Sequence, residues 1–185
     1  MPARGWYEKY GPEFYDKQWR DRVEGRGRWP WQDFHERAMQ FLAEPALDVG
    51  CGIGTFCNQA HSKGLFIVGI DFSKYALRHV KCPKVLASAE YLPFKSRAFA
   101  YVAALEVLEH LDDMEKGIEE LKRVVRPDGR IFVSIPMPGF KAAEHKEQPP
   151  LWWLIEKFKP WRLGPRWFGR CRNEFLLLSS SRSGT

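Results

Sequence analysis

Residues 46–55, ALDVGCGIGT, run a short apolar strand straight into three glycines, at 50, 52 and 54, and on into a helix. Few folds contain that junction. Glycines there let the chain turn tightly and leave bare backbone for a ligand to approach. The helix starts near Thr55 and stops at Gly64, and LFIVGI at 65–70 then reads as a fully apolar strand. A strand apolar on both faces belongs inside a parallel sheet covered on both sides. Ser73 caps a helix reaching about Val80, before Pro83. Further short strands follow at 84–87 (KVLA), 99–104 (FAYVAA) and 131–136 (IFVSIP). Helices are expected at 33–42 and from Asp112 or Asp113 onward, where Met114, Ile118, Leu121 and Val125 share one face. Strands alternating with helices predict βαβ units, hence an α/β, doubly wound, mostly parallel sheet with helices on both faces. In the last forty residues, 151–158 reads as a helix and 174–180 as an antiparallel closing strand. The pattern gives no position for a strand between them.

A chain of 185 residues suits one domain. Hydrophobic residues at 44% and charged residues at 28% exclude wholesale disorder. No apolar run approaches the roughly 18 residues that cross a bilayer, and residues 1–22 hold no apolar signal core. The four cysteines show no paired spacing, so no zinc cluster or disulfide framework is expected, and reduced thiols in a cytoplasmic protein fit better. The charge of +6 divides unevenly: +2 over 1–31, −1 over 32–140 and +5 over 141–185. All eight tryptophans, at 6, 19, 29, 31, 152, 153, 161 and 167, fall in the two flanks. The expected organisation is therefore a single domain over 1–185. Within it, 1–31 is an aromatic lid segment, 32–140 a ligand-binding core and 141–185 a basic aromatic segment. The flanking aromatics either pack on the core or wall a substrate site.

The second strand ends in GIDFS, which puts Asp71 at its carboxyl edge, seventeen residues past Gly54. A carboxylate there is placed to accept both hydroxyls of a ribose. A dinucleotide turn would put its third glycine at position 55, which is Thr55. No GK[ST] sequence is present, and the turn has no cation for a diphosphate. A ribose without phosphate points to S-adenosylmethionine.

Five blocks in order carry a resemblance: LDVGCGIG, VGIDFS at 68–73, ASAEYLPFKSRAF at 87–99, LEVLEHL at 105–111 and LKRVVRPDGRIFVSIP at 121–136. Together they resemble the class I S-adenosylmethionine-dependent methyltransferases, most closely the type 11 methyltransferase domains, over about residues 45–136. The resemblance implies a Rossmann-like methyltransferase fold. It also implies that Asp48, Gly50, Cys51, Gly52 and Gly54 line the methionine and ribose of the cofactor, and that Asp71 holds the ribose. Phe72 would border the adenine, with Ser88 and Ala89 at its edge and Leu105 near the methionine. Three positions depart from the family pattern. Ser88 stands where an acid is usual, Ala100 where Asp often follows Phe99, and Asp128 within the usual Pro-Gly-Gly turn.

Methyl transfer from a sulfonium needs alignment and a dry site, and a general base only where the acceptor keeps its proton. His110 follows the fourth strand, where it is either a base or a capping residue. His145, after the fifth strand, is either a base over the acceptor pocket or a surface residue. Glu106 and Glu109 read as solvated or ion-paired. Tyr10, Tyr15 and Trp19 share a segment that either packs or covers the cofactor. His35, His61 and His79 carry no assigned role, and no metal-ligand spacing occurs. The favoured partner is a small-molecule acceptor at O, N or C. An RNA acceptor bound by the basic tail, and a non-catalytic binding protein, are the alternatives.

Overall fold

The computed structural model describes residues 10–25, 33–136, 150–168 and 172–178. Two helices precede the sheet, α1 (Pro12–Val23) and α2 (Asp33–Gln40). The core then runs β1 (Ala46–Val49), α3 (Thr55–Ser62), β2 (Ile67–Asp71), α4 (Lys74–Leu77), β3 (Lys84–Leu86), β4 (Phe99–Leu105), α5 (Met114–Val124) and β5 (Val125–Pro136). The chain closes with α6 (Leu151–Lys157), β6 (Arg162–Phe168) and β7 (Arg172–Leu178).

The seven strands lie in the order β3-β2-β1-β4-β5-β7-β6. The first five strands are parallel, and β7 pairs antiparallel with both β5 and β6. This is the expected doubly wound sheet with β1 inside it. The antiparallel closure involves two strands rather than one, since β6 fills the stretch for which the sequence gives no strand.

Alternation along β1 explains the two layers. Leu47 and Val49 face a core that includes Ile118, Leu121 and Val124 of α5 and Leu154 and Phe158 at α6. Ala46 faces a second core with Ala38 of α2 and Phe56, Cys57 and Ala60 of α3. Helix α5 forms because Ile118, Leu121 and Val124 recur on one face, and Asp113 accepts the Lys116 N–H at 2.9 Å to cap its start. The RPDG turn falls inside β5 and shifts its register against β4 between Phe99 and Tyr101. No helix among the described residues is long and apolar enough to cross a membrane.

Candidate active site

Strand β1 ends between two parallel neighbours, so its turn opens at the carboxyl edge of the sheet, where strand order reverses. Gly52 lies there at φ 54°, a left-handed backbone that favours glycine. Its N–H donates to Asp71 Oδ2 at 2.8 Å, and the Ser73 N–H donates to Asp71 Oδ1 at 2.8 Å. Asp71 thus ties the glycine turn to the end of β2. The carboxylate has four lone-pair sites, so it can accept a further donor. Burial raises the Asp71 carboxyl to about 6, against the lowering effect of the Ser73, Gly52 and Phe72 N–H groups. Asp71 is therefore an anion at neutral pH.

Asp48 sits under the same turn and is 2% exposed. Its Oδ2 has no hydrogen-bond partner among the described residues. Burial pushes its carboxyl up to about 8, although the Cys57 thiol and N–H pull it down. It is thus mainly protonated at pH 7. Cys51, Cys57 and Cys82 are buried free thiols around it. The hydrogen bond with Cys57 lowers the Cys51 thiol, but burial and the Asp48 carboxylate outweigh it and leave it at about 11. Such a thiol is inert at neutral pH. Cys171 lies outside the described residues.

The other sequence-selected residues gather at the same edge. Ala87 N–H donates to the Asp71 carbonyl at 3.1 Å, which brings Ser88 and the buried Ala89 beside the end of β2. The Ser88 hydroxyl accepts the Glu90 N–H at 3.2 Å. Leu105 ends β4 opposite Ser134. The next residue, Glu106, turns left-handed at φ 56° while its N–H donates to the Ser134 hydroxyl at 3.0 Å. That turn carries Val107 against Gly50, where an added Cβ would stand 2.5 Å from a valine methyl. Glu109 is buried rather than solvated, with Oε1 3.7 Å from His110 Nε2. His145 lies outside the described residues.

Helix α1 lies across this edge. Tyr15 packs on Phe72 with ring centroids 5.0 Å apart, and its hydroxyl is hydrogen-bonded to His110 Nδ1 at 2.8 Å. Asp16 accepts from the Ser73 hydroxyl and from the Tyr75 N–H, the latter at 3.1 Å. The Trp19 ring lies where a Cβ on Gly52 would be, 2.3 Å from that position. Asp16 is a residue that sequence reasoning misses. It lies on a polar helix, and its partners are 57 and 59 residues away.

The second flank does something else. Leu154 and Phe158 are buried in the sheet's core, and Lys122 of α5 donates to the carbonyls of Lys157 and Lys159 at 3.0 and 2.8 Å. Helix α6 and the residues just after it are thereby held against α5, and β6 is paired with β7.

The edge suits a nucleoside. It offers left-handed glycines, an anionic carboxylate that can accept a further donor, and a buried polar atom, Asp48 Oδ2, beneath them. Residues 47–133 match the family described as "Methyltransferase domain". The core belongs to the class I S-adenosylmethionine-dependent methyltransferases.

Relatives of this methyltransferase core include tRNA U34 carboxymethyltransferase of Hahella chejuensis, 30% identical over 166 residues, covering 80% of this chain and 50% of that protein. Ubiquinone biosynthesis O-methyltransferase of Chromobacterium violaceum is 30% identical over 115 residues, covering 55% of this chain and 48% of that protein. The chain spans about half the length of these curated relatives. Among solved structures, an S-adenosylmethionine-dependent methyltransferase from Mesorhizobium loti superposes with a TM-score of 0.65 at 13% identity, covering 77% of this chain and 96% of that one. S-adenosylmethionine is the cofactor of this methyltransferase family.

Proposed function

We propose that this protein transfers a methyl group from S-adenosylmethionine to a small-molecule acceptor at O, N or C. The observation that carries the reading is Asp71, bonded through one oxygen to Gly52 and through the other to Ser73, with acceptor capacity left for a ribose. The cofactor supplies a methyl group already activated on a sulfonium. The chain's own part is to bind, orient and keep the site dry. Asp71 takes the two ribose hydroxyls, Gly50, Gly52 and Gly54 admit the ligand to bare backbone, and Phe72 and Ala89 border the base. Tyr15, Asp16 and Trp19 make α1 the cover that excludes water.

His110 is the group proposed to take the acceptor's proton. With the ring proton on Nδ1, the Tyr15 oxygen accepts it and Nε2 is the nitrogen that receives the acceptor's proton. The Glu109 carboxylate beside Nε2 then stabilises the imidazolium. His145 remains the second proposed base.

The quinone-pathway relative supports a small acceptor. An RNA acceptor is the second reading, favoured by the tRNA-modifying relative that covers 80% of this chain and by the +5 charge over 141–185. Incubation with methyl-labelled cofactor separates the two. Label entering phenols or amines of a small-molecule panel is the expected result. Label entering only bulk tRNA transfers the case to RNA. Tight binding of the demethylated product without any transfer leaves a binding protein.

Two measurements test the cofactor site. Asp71→Ala is expected to weaken binding of the demethylated product by about 1.5–3 kcal/mol, the usual cost of losing hydrogen bonds to a charged group. Unchanged affinity in a folded variant removes the ribose from Asp71. Adding the product is also expected to slow amide exchange over 10–25 but not over 150–168, since among the described residues of the two flanks only those of the first meet the glycine turn. Slowing confined to residues 48–54, 71 and 88–89 would show α1 to be packing rather than a cover.

A further inference from the structure

At the end of the sheet opposite the glycine turn, Ser96, Arg97, Lys122, Arg123, Pro127 and Trp161 line a cleft of about 360 Å³. Arg97 enters β4 and Val125 begins β5, so the cleft lies at the starts of the parallel strands. The seven residues of β4 separate it from the cofactor edge by about 20 Å at roughly 3.3 Å per residue. It is a different place from the acceptor pocket.

Two of the three cations that line the cleft, Lys122 and Arg123, are held by hydrogen bonds. Arg123 donates to Glu120, to the Leu92 carbonyl and to the Phe94 carbonyl, so its guanidinium is immobile and its charge matched. Lys122 donates to two neutral carbonyls, which leaves its charge unmatched and its third N–H available. Arg97 is exposed, and its guanidinium makes no hydrogen bond or ion pair among the described residues. Its backbone is left-handed at φ 60°, held by donation of its N–H to the Arg123 carbonyl at 2.8 Å. Arginine is a costly residue for that backbone, where glycine or asparagine would fit, and such strain gathers at functional positions. Among the described residues no carboxylate lines the cleft, and its wall is the half-buried Trp161.

We propose that this cleft binds the phosphate of a nucleotide, with the base laid against Trp161. A phosphate offers several acceptor oxygens to the Arg97 fork, the Lys122 ammonium and the Ser96 hydroxyl, and the base has the flat face that an indole stacks on. An acidic peptide would satisfy the cations but not the tryptophan. The nucleotide is either free or part of a single strand of RNA. The proposal holds whichever acceptor the methyl group goes to.

Anisotropy of a fluorescein-labelled 12-nucleotide single-stranded RNA tests it on the full chain. Arg97→Asn removes the charge and suits the left-handed backbone, so the variant folds, and Arg97→Glu reverses the charge. Wild type is expected to bind the RNA. Arg97→Asn should weaken that binding several-fold and Arg97→Glu by about tenfold, with the salt slope reduced by about 0.7 for the lost phosphate contact. Affinity for the demethylated cofactor product should stay unchanged in both. Displacement of the RNA by adenosine monophosphate assigns the site to free nucleotides, and displacement only by longer strands assigns it to RNA. Either outcome supports the cleft. Three outcomes overturn it: neither RNA nor adenosine monophosphate binding, RNA binding that is indifferent to both Arg97 variants, or a polyglutamate peptide of equal charge that competes as well as RNA.

Discussion

Gly52→Val is expected to abolish cofactor binding, measured as a loss of at least about 100-fold, or about 2.7 kcal/mol, in calorimetric affinity for the demethylated product. Two effects combine at this position. A β-branched residue at φ 54° carries a strain of about 1–3 kcal/mol. Its side chain would also occupy the place where Trp19 lies, 2.3 Å from the new Cβ, and would push α1 away from the turn. The Gly52 N–H that anchors Asp71 would shift with it. Gly64→Ala is the control. It has a similar left-handed backbone at φ 81°, but nothing stands within 4 Å of the added Cβ. It should cost about 1 kcal/mol of stability and leave product affinity intact. Product affinity of Gly52→Val within threefold of wild type would mean that no ligand passes over this backbone.

Asp48→Asn is expected to stabilise the ligand-free protein by an amount that grows with pH. The folded carboxyl lies at about 8 against an ordinary value of 3.8, so folding takes up a proton between those values. The stability tied to the protonated form is complete below about pH 4 and is lost as pH rises through about 8. Asparagine has the same shape and no proton to lose. Across that interval each pH step of one is worth about 1.4 kcal/mol, so the gain in Tm of the variant over wild type should widen by roughly 7–14 °C between pH 5 and pH 8. A smaller slope below pH 6 should remain in the variant, because Asp71 is raised to about 6 and acts in the same direction. An equal Tm difference at both pH values would show that Asp48 is ionised in the folded protein.

What is legible in the sequence follows from which forces are local. Strands β1, β2 and β4 are legible because their interior position demands apolar residues on both faces, which leaves runs such as LFIVGI in the chain. The glycine turn and Asp71 are legible because backbone geometry and ligand chemistry dictate residue type at fixed spacing. Helix α4 is expected from the sequence to reach Val80 but stops at Leu77. Asn58 reaches over from α3, donating to the His79 carbonyl at 3.0 Å and accepting the Lys81 N–H at 2.6 Å, which pulls that stretch out of the helix. Strand β6 is illegible for a related reason. Gly164 and Pro165 interrupt any alternation, and the register against β7 shifts between Leu163 and Arg166. It is a strand because β7 lies beside it. Asp48 is legible as a family position but not as a buried, protonated acid, since aspartate is ordinarily a surface residue. The placement of the flanks is half legible. Aromatic content marks both flanks, but only tertiary contacts assign α1 to the glycine turn, α6 to α5 and β6 to β7.

The place of β7 in the sheet has a consequence for how the chain is made. It is the last described strand in sequence, yet it lies between β5 and β6. During synthesis from the N-terminus, β5 therefore waits with one side of its apolar IFVSIP segment unpaired until residues 172–178 have left the ribosome. Strand β6 emerges earlier but cannot serve as its partner without taking the position that β7 must fill. A nascent chain cut or stalled before Arg172 presents an open, hydrophobic sheet edge, the kind of surface that recruits other chains and chaperones. The glycine turn and Asp71 lie far upstream, so that side of the sheet can form while the opposite side is still incomplete.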